Sequence, residues 1–174
     1  MSETKAARPE LEKFCQGFGI DIGFGGSAIT PTAITFDMPV SYVGSYEGHK
    51  QILQGDCRSF PYICDEVFDY VYSAHLLEDF TYGELIPILK EWRRILKVGG
   101  NLVTNCPDQQ KFLAHCRKTG QSGNEAHKEQ DFSLANFKNV VYQLGGWEEI
   151  YVNPDAGAYS CLLYTSPSPR DATL

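Results

Sequence analysis

The sequence is short of positive charge and of long apolar stretches. It has 15 Lys and Arg residues against 22 Asp and Glu residues, giving a net charge of −7. This balance argues against non-specific binding to nucleic acid, which needs a basic surface. A local basic patch is formed by Lys90, Arg93, Arg94 and Lys97, which we interpret as the solvated face of a helix. No stretch is apolar enough to span a membrane, and residues 1–12 lack the apolar core of a signal peptide.

The six cysteines form no CxxC pair and no spacing typical of a zinc site. We therefore predict that the protein binds no metal. The absence of a disulfide framework and of a signal peptide favours a reduced, cytoplasmic protein. Nothing in the sequence indicates its oligomeric state.

Strands and helices alternate along most of the 174 residues, which are enough for one domain with a real core. This alternation is typical of an α/β fold with a doubly wound, mostly parallel sheet flanked by helices. Strands are predicted at 19–22, 33–36, 51–53, 67–73, 101–106, 147–153 and from about 159, helices at 83–96, 109–117 and 134–144, and a loop at 40–50.

The last stretch, 161–174, changes abruptly from strand-like to Ser/Pro-rich sequence. It resembles translated sequencing-adapter read-through. We therefore expect a single domain over residues 1–160, followed at 161–174 by a tail that is non-native or disordered. If the tail is non-native, the natural C-terminal end is missing.

A glycine-rich turn follows the first strand, in the sequence Gly-Ile-Asp-Ile-Gly-Phe-Gly-Gly at 19–26. Gly23, Gly25 and Gly26 permit a sharp backbone bend and let a ligand approach the main chain. In an open α/β sheet such a turn lies where ligands bind, outside the carboxyl ends of the strands. The turn predicts a nucleotide-type cofactor site, although a purely structural turn accounts equally well for the glycines alone.

Four segments together resemble the class I S-adenosylmethionine-dependent methyltransferases, in particular their small-molecule type 11 branch. They are the glycine turn, Phe36-Asp37, Gly55-Asp56-Cys57, and the pair formed by residues 68–79 and 89–103. The last pair is the most specific, because a strand ending in Ser-x-His-x-Leu-Glu precedes a helix containing Trp-Arg-Arg-Ile-Leu-Lys-x-Gly-Gly. The resemblance covers residues 19–108. It implies a Rossmann-like fold and S-adenosylmethionine as cofactor.

The resemblance also implies a role for individual residues. Asp37 would accept hydrogen bonds from the ribose hydroxyls, Asp56 would accept one from the adenine amino group, and the backbone of Cys57 would contact the ring edge. The glycines would border the amino-acid end of the cofactor. The remaining cofactor-binding candidates are Asp21, which would help fix the turn, and Tyr72 and Ser73, which would lie between the methionine end and the acceptor.

Two features depart from the family pattern. Ser27 stands where a third glycine is common, and Pro31 leaves no room for a full helix between the first two strands. Asp37 follows Gly23 by only 14 positions (37 − 23), fewer than the roughly 20 of a dinucleotide fingerprint. The short spacing disfavours a nicotinamide cofactor.

For the acceptor side, His75 is the best candidate for a catalytic base, because histidine titrates near neutral pH. A loop histidine that merely orders its neighbours is the alternative. Further candidates for substrate contact follow the strand that ends at Cys106, and they are Asp108, Gln109, His115 and His127.

The sequence thus predicts an enzyme that transfers a methyl group from S-adenosylmethionine to a small-molecule or sugar acceptor by in-line displacement. Neither nucleic acid nor a membrane is expected as a partner. Two alternatives stay open at this point. One is a non-catalytic cofactor-binding module with the same fold, and the other is a nicotinamide-dependent oxidoreductase.

Overall fold

A computed structural model describes residues 3–39 and 51–155, together with the backbone of residues 160–167. The loop predicted for residues 40–50 lies outside the described residues. The helices are α1 (Glu3–Leu11), α2 (Tyr82–Ile95), α3 (Gln109–Thr119) and α4 (Leu134–Gln143), and the strands are β1 (Gly19–Ile22), β2 (Ile34–Asp37), β3 (Leu53–Gln54), β4 (Phe68–Ala74), β5 (Leu96–Pro107), β6 (Trp147–Asn153) and β7 (Ser160–Pro167).

The strands form one sheet in the order β3-β2-β1-β4-β5-β7-β6. Strands β1 to β5 are parallel, and β7 runs antiparallel to both β5 and β6. The predicted doubly wound, mostly parallel sheet is therefore confirmed. Because the order changes direction at β1 and β4, the carboxyl ends of these two strands flank the switch point at which such sheets bind ligands.

One face of the sheet is covered by α2 and α4. Helix α2 begins with a capping box, in which the Thr81 hydroxyl accepts from the Glu84 N–H and the Glu84 carboxylate accepts from the Thr81 N–H. Its apolar residues at spacings of three and four are buried against the sheet. This face holds the larger core, which includes Leu85, Ile88, Leu89, Trp92, Phe137 and Val141.

The opposite face is covered by α1 and by the connection between β1 and β2. Ala7 and Leu11 of α1 pack with Phe24 and Ile29 of the connection in a second, smaller core. The Arg8 guanidinium donates to the Ala28 carbonyl oxygen at 2.6 Å, which ties the two segments together. A helix from the N-terminus and a packed loop thus cover the area that a crossover helix would otherwise cover.

The buried carboxyl of Asp21 holds this connection in place. Its Oδ2 accepts from the Ile29 N–H at 2.7 Å, and the side chain is fully enclosed. The Thr30 hydroxyl also forms a hydrogen bond with the Tyr70 hydroxyl at 2.8 Å. As Pro31 indicated, no helix forms between β1 and β2, and side-chain hydrogen bonds fix the loop instead.

The predicted elements differ from the observed ones mainly at their ends. Helix α2 passes directly into β5 at Leu96, whereas we expected Gly99 and Gly100 to end the helix and the strand to begin at 101. The reason lies in the pairing of β5 with β4, since Leu96 is already in register with Phe68 before an irregularity shifts the ladder. The glycines therefore lie within the strand.

The backbone of Ser160–Pro167 forms β7, so the predicted boundary between residues 160 and 161 falls inside a strand. That residues 161–174 are non-native stays a prediction, and residues 168–174 lie outside the described part of the chain. Among the described residues, no helix combines the length and the apolar character that crossing a membrane requires. The cytoplasmic location also stays a prediction.

Replacing Leu89 by Ala should lower the free energy of unfolding by about 2–5 kcal/mol, because Leu89 is fully buried and the change leaves a cavity. Lys90→Ala is the matched control on the same helix. Since Lys90 is exposed, its replacement should alter stability by less than about 0.5 kcal/mol. Urea unfolding of both variants checks this, and equal losses would contradict the assigned helix face.

Candidate functional site

A cavity of about 320 Å³ lies at the carboxyl ends of β1, β2 and β3. All four segments that resemble the family contribute to its lining, with Gly23 after β1, Asp37 at the end of β2, Asp56 after β3 and Leu76 after β4. Cys57 also borders it, and burial raises the pKa of its thiol to about 12. The apolar part of its wall comes from Phe36, Met38, Pro39, Leu76 and Phe80.

The glycine turn shapes one wall of this cavity. Gly23 has φ +74°, and a Cβ placed there would lie 2.9 Å from the Leu76 side chain. The N–H groups of Gly23 and Phe24 both donate to the Phe36 carbonyl oxygen, at 3.0 and 3.1 Å. The turn is thereby fastened to the end of β2, beside Asp37.

Asp37 bridges the glycine turn and its own strand. Its Oδ2 accepts from the Gly25 N–H at 3.0 Å, and its Oδ1 accepts from the Met38 N–H at 2.8 Å. A carboxylate has about four acceptor sites, so both oxygens retain capacity for further donors. The backbone thus fixes the orientation of a carboxylate that borders the cavity.

Asp56 is held by its neighbour Arg58. Its Oδ1 accepts from the Arg58 backbone N–H at 2.9 Å, and the Arg58 Nε lies 3.0 Å from both carboxylate oxygens. Hydrogen bonding to the Arg58 side chain is the main cause of the lowered pKa of Asp56. The group is therefore ionised at neutral pH.

The other predicted cofactor residues lie outside the lining of this cavity. Gly25 and Gly26 complete the turn, with φ +56° and +97°. Tyr72 is buried in the smaller core, and its hydroxyl lies 3.5 Å from the Thr4 hydroxyl on α1. Ser73 and Asp21 are also buried, and the Ser73 Oγ and the Asp21 Oδ1 have no hydrogen-bond partner within the described part of the chain.

A second group of polar side chains lies beyond the ends of β4 and β5. We call it the histidine cluster, and it consists of His75, Glu78, Gln109 and His127. The Glu78 Oε1 is 3.4 Å from the His75 Nδ1 and 3.9 Å from the His127 Nε2. The His127 Nδ1 lies 2.7 Å from the Gln109 Oε1 and donates to it. Three of the five residues predicted for catalysis and substrate contact therefore lie together.

Burial sets the protonation of this cluster. It lowers the pKa of both histidines and raises the pKa of Glu78 well above its usual value. The Glu3 carboxylate on α1, 3.7 Å from the His75 Nε2, partly opposes the shift at His75. The low-polarity surroundings favour neutral forms, which suit a histidine that accepts a proton.

The backbone at His75 is unusual, because its φ of +51° is rare for a residue with a side chain. Its N–H donates to the Asn105 carbonyl oxygen at 2.8 Å, which links the ends of β4 and β5. Such strained residues concentrate at functional sites. This geometry favours a functional histidine over one that only orders a loop.

The segment between α3 and α4 closes over the cluster. The Lys128 N–H donates to the Glu78 carbonyl oxygen at 3.0 Å, and the Gln109 N–H donates to the Phe132 carbonyl oxygen at 2.8 Å. The two remaining candidates have other positions. Asp108 caps α3 by accepting from the Lys111 N–H, and His115 lies further along that helix.

Within residues 3–39 and 51–155, no three His, Cys, Asp or Glu side chains lie together as metal ligands would. That the protein binds no metal stays a prediction.

Comparison with known proteins identifies the family. Residues 20–104, from the first strand into the fifth, match the model of a methyltransferase domain. These residues form a methyltransferase domain of the S-adenosylmethionine-dependent type. The methyltransferase prediction is thereby confirmed, in preference to a nicotinamide-dependent oxidoreductase. A search of curated proteins found no match.

Solved structures share the fold of this methyltransferase. The PH0226 protein from Pyrococcus horikoshii has a TM-score of 0.71 at 18% identity, over 94% of this chain and 89% of its own. An S-adenosylmethionine-dependent methyltransferase from Archaeoglobus fulgidus has a TM-score of 0.68 at 13% identity, over 95% of both chains. Human N-acetylserotonin methyltransferase, solved with S-adenosylmethionine, has a TM-score of 0.66 at 14% identity, over 95% of this chain and 51% of its own.

The cavity suits the adenosyl part of the family's cofactor. Two carboxylates border it and would accept hydrogen bonds from ribose hydroxyls and from an adenine amino group. Apolar side chains supply a surface for a flat ring, and the missing Cβ at Gly23 leaves the turn's backbone close to the space. The residues present therefore fit this cofactor.

Sequence reasoning missed two residues of this region. From the sequence, Glu78 is either a contact to the methionine end or acceptor or, more commonly for such an acid, a cap of the next turn, and its burial between two histidines is not predicted. Arg58 was not singled out, because one exposed arginine after an acidic residue carries no sequence signal. Only the structure shows that the Arg58 side chain donates a hydrogen bond to Asp56 and that Arg58 borders the cavity.

Replacing Asp21 by Asn should change how stability depends on pH. Burial raises the pKa of Asp21, so the folded state binds this proton more tightly than the unfolded state. The stabilisation that comes from this tighter proton binding is fully present below about pH 4, and it is lost as the pH rises through the pKa of Asp21 in the folded state. Asn cannot ionise. The free energy of unfolding of the variant, relative to that of the wild type, should therefore rise by about 1 kcal/mol or more between pH 4 and pH 7.

Urea unfolding at both pH values measures this gain, with Glu10→Gln as the control, since the pKa of Glu10 is lowered rather than raised. Hydrogen bonding to Tyr151 is the main cause of that lowering. An Asp21→Asn variant whose stability difference from the wild type is the same at both pH values would contradict the shift.

Proposed function

We propose that this enzyme transfers a methyl group from S-adenosylmethionine to a small-molecule acceptor, including a sugar, by in-line displacement. The observation that carries the proposal is the cavity, which brings Gly23, Asp37 and Asp56 together at the carboxyl edge of the sheet. In this assignment Asp37 accepts from the ribose hydroxyls, Asp56 accepts from the adenine amino group, and Cys57 contributes backbone contacts. Asp21 supports the glycine turn from below through the Ile29 N–H, and Tyr72 belongs to the smaller core. Ser73, paired with Ile22 near the carboxyl ends of β4 and β1, stays the candidate for the methionine end.

The histidine cluster supports an assignment of the acceptor end. It follows β4 and β5, whereas the cavity lies beyond β1 to β3, so cofactor and acceptor would approach from adjacent strand ends. His75 and Leu76 are consecutive, and Leu76 borders the cavity. A reacting atom placed between the two regions would be within reach of His75.

When bound, S-adenosylmethionine supplies a methyl group already activated on a sulfonium. The chain must then align the acceptor and exclude water, and such placement contributes about 7–11 kcal/mol in favourable cases. The neutral His75 would accept the acceptor's proton, so that the acceptor's electron pair could take the methyl group as the carbon–sulfur bond breaks and a neutral thioether leaves. Glu78 positions the imidazole through its Nδ1, and Gln109 and His127 support the acceptor side.

S-adenosylhomocysteine should bind the intact protein with micromolar affinity in isothermal titration calorimetry. Asp37→Ala should weaken this binding by about tenfold or more, because it removes charge-assisted hydrogen bonds worth about 1.5–3 kcal/mol each. Asp65→Ala is the matched control, since Asp65 is an exposed partner of Arg94 away from the cavity.

If the folded wild-type protein binds no S-adenosylhomocysteine, the cavity is not the cofactor site. If Asp37→Ala binds as tightly as the Asp65→Ala control, Asp37 does not belong to the site.

The pH dependence of methyl transfer should report on His75. Burial lowers the pKa of His75, so the base stays neutral down to a pH below the usual value of about 6.5. Activity should therefore be constant near neutral pH and fall on acidification, with the midpoint below about 6.5. Transfer from methyl-labelled S-adenosylmethionine to a panel of small hydroxyl and amine compounds provides the rate.

His75→Gln should abolish this acidic limb and lower kcat by about 10²–10⁴-fold, the usual contribution of a general base. His115→Gln on α3 is the comparison, and it should keep the acidic limb whatever its effect on kcat, because His115 lies outside the histidine cluster. Retention of the acidic limb in His75→Gln would show that another group accepts the proton.

A further inference from the structure

Arg58 is one of the residues that line the cavity. Its side chain borders the space together with Asp56 and Phe80. The guanidinium carbon lies 6.0 Å from the centre of the Phe80 ring, and Nη1 lies 3.9 Å from the Glu84 Oε1 at the start of α2. The arginine thus links the turn after β3 to the beginning of α2, and it crosses the cavity wall between them.

The contacts of Arg58 leave one side of Asp56 available. The Asp56 Oδ1 accepts the Arg58 backbone N–H and a share of its Nε–H, whereas Oδ2 accepts, from the described residues, only the other share of the Nε–H. Each carboxylate oxygen has about two acceptor sites, so Oδ2 keeps the capacity to accept another donor. The arginine therefore directs the carboxylate and does not saturate it.

We propose that Arg58 is the positioning residue that makes the cavity selective for a 6-aminopurine, by aiming the Asp56 carboxylate at the exocyclic amino group. The inference rests on the proposed cofactor site. A carboxylate that is fixed before binding gains its hydrogen bond without first losing side-chain freedom. Without the Arg58 side chain, the backbone N–H would hold Oδ1 alone and the orientation of Oδ2 would no longer be fixed, so most of the benefit of the amino group would be lost.

The affinities of two ligands distinguish a positioning role of Arg58 from a general electrostatic attraction of the ligand. One is S-adenosylhomocysteine, and the other is its analogue in which hydrogen replaces the 6-amino group. The wild type should prefer the first ligand by about tenfold or more, the value of one hydrogen bond to a charged group. In Arg58→Ala this preference should fall to about threefold or less, through weaker binding of S-adenosylhomocysteine alone. Isothermal titration calorimetry measures both affinities.

Two further variants complete the experiment. Arg58→Lys keeps the charge but lacks the Nε–H that both Asp56 oxygens accept, so it should lose most of the preference as well. Arg93→Ala removes a positive charge elsewhere on α2, where Arg93 donates to the Gly145 carbonyl oxygen, and should keep the wild-type preference. Because Arg58 is exposed, unfolding curves should show that its variants remain folded.

The proposal is overturned if Arg58→Ala lowers the affinity for both ligands by the same factor, which would indicate a purely electrostatic or structural effect. It is also overturned if the variant keeps the full preference, since the ion pair would then be a surface contact only. If the wild type binds neither ligand, the cofactor site itself is wrong, and the role of Arg58 falls with it. Similar affinities of the wild type for both ligands would remove Asp56 as the reader of the amino group.

Discussion

The buried carboxyl of Asp21 is the interaction on which the cofactor end of this methyltransferase depends. It stands at the end of β1 and accepts the Ile29 N–H, so it fixes a connection too short to form the usual crossover helix. A fully enclosed carboxyl is costly, and its raised pKa shows that burial is the dominant effect. The glycine turn lies between Asp21 and Ile29 and has no helix beside it. The hydrogen bond between these two residues therefore supports the turn in place of a helix.

Two devices therefore replace the missing helix. Helix α1 packs from the N-terminal side, with Leu11 enclosed beside Phe24 and Ile29, and the turn itself is fastened to β2 through the Phe36 carbonyl oxygen. The result is a second layer, thinner than the first, on this face of the sheet. The other layer, built on α2 and α4, is a conventional amphipathic packing that would be stable without regard to ligands.

The sequence predicted the sheet, the order of its elements and the location of the turn, because each depends on local patterns of apolar and glycine residues. Even the absent helix was signalled by Pro31. The predicted start of β5 at residue 101 was wrong, because β5 already pairs with β4 at Leu96 and Phe68. This contact joins residues distant in sequence, and a local pattern does not encode it. Two further features depend on how the chain folds in three dimensions. One is the hydrogen bond from Arg58 to Asp56, and the other is the burial of Glu78 between two histidines. No spacing in the sequence reveals them.

The two ends of the site differ in their electrostatics, and this difference follows from exposure. At the cofactor end, Asp56 is open to solvent and paired with Arg58, so its pKa falls and the carboxylate is a constant acceptor. Beyond β4 and β5, Glu78 and the histidines are enclosed, so burial favours their neutral forms. A group that must hold a ribose or an amino group benefits from permanent charge, whereas one that must take a proton has to begin neutral. The same sheet edge provides both because the segment between α3 and α4 covers only one of them.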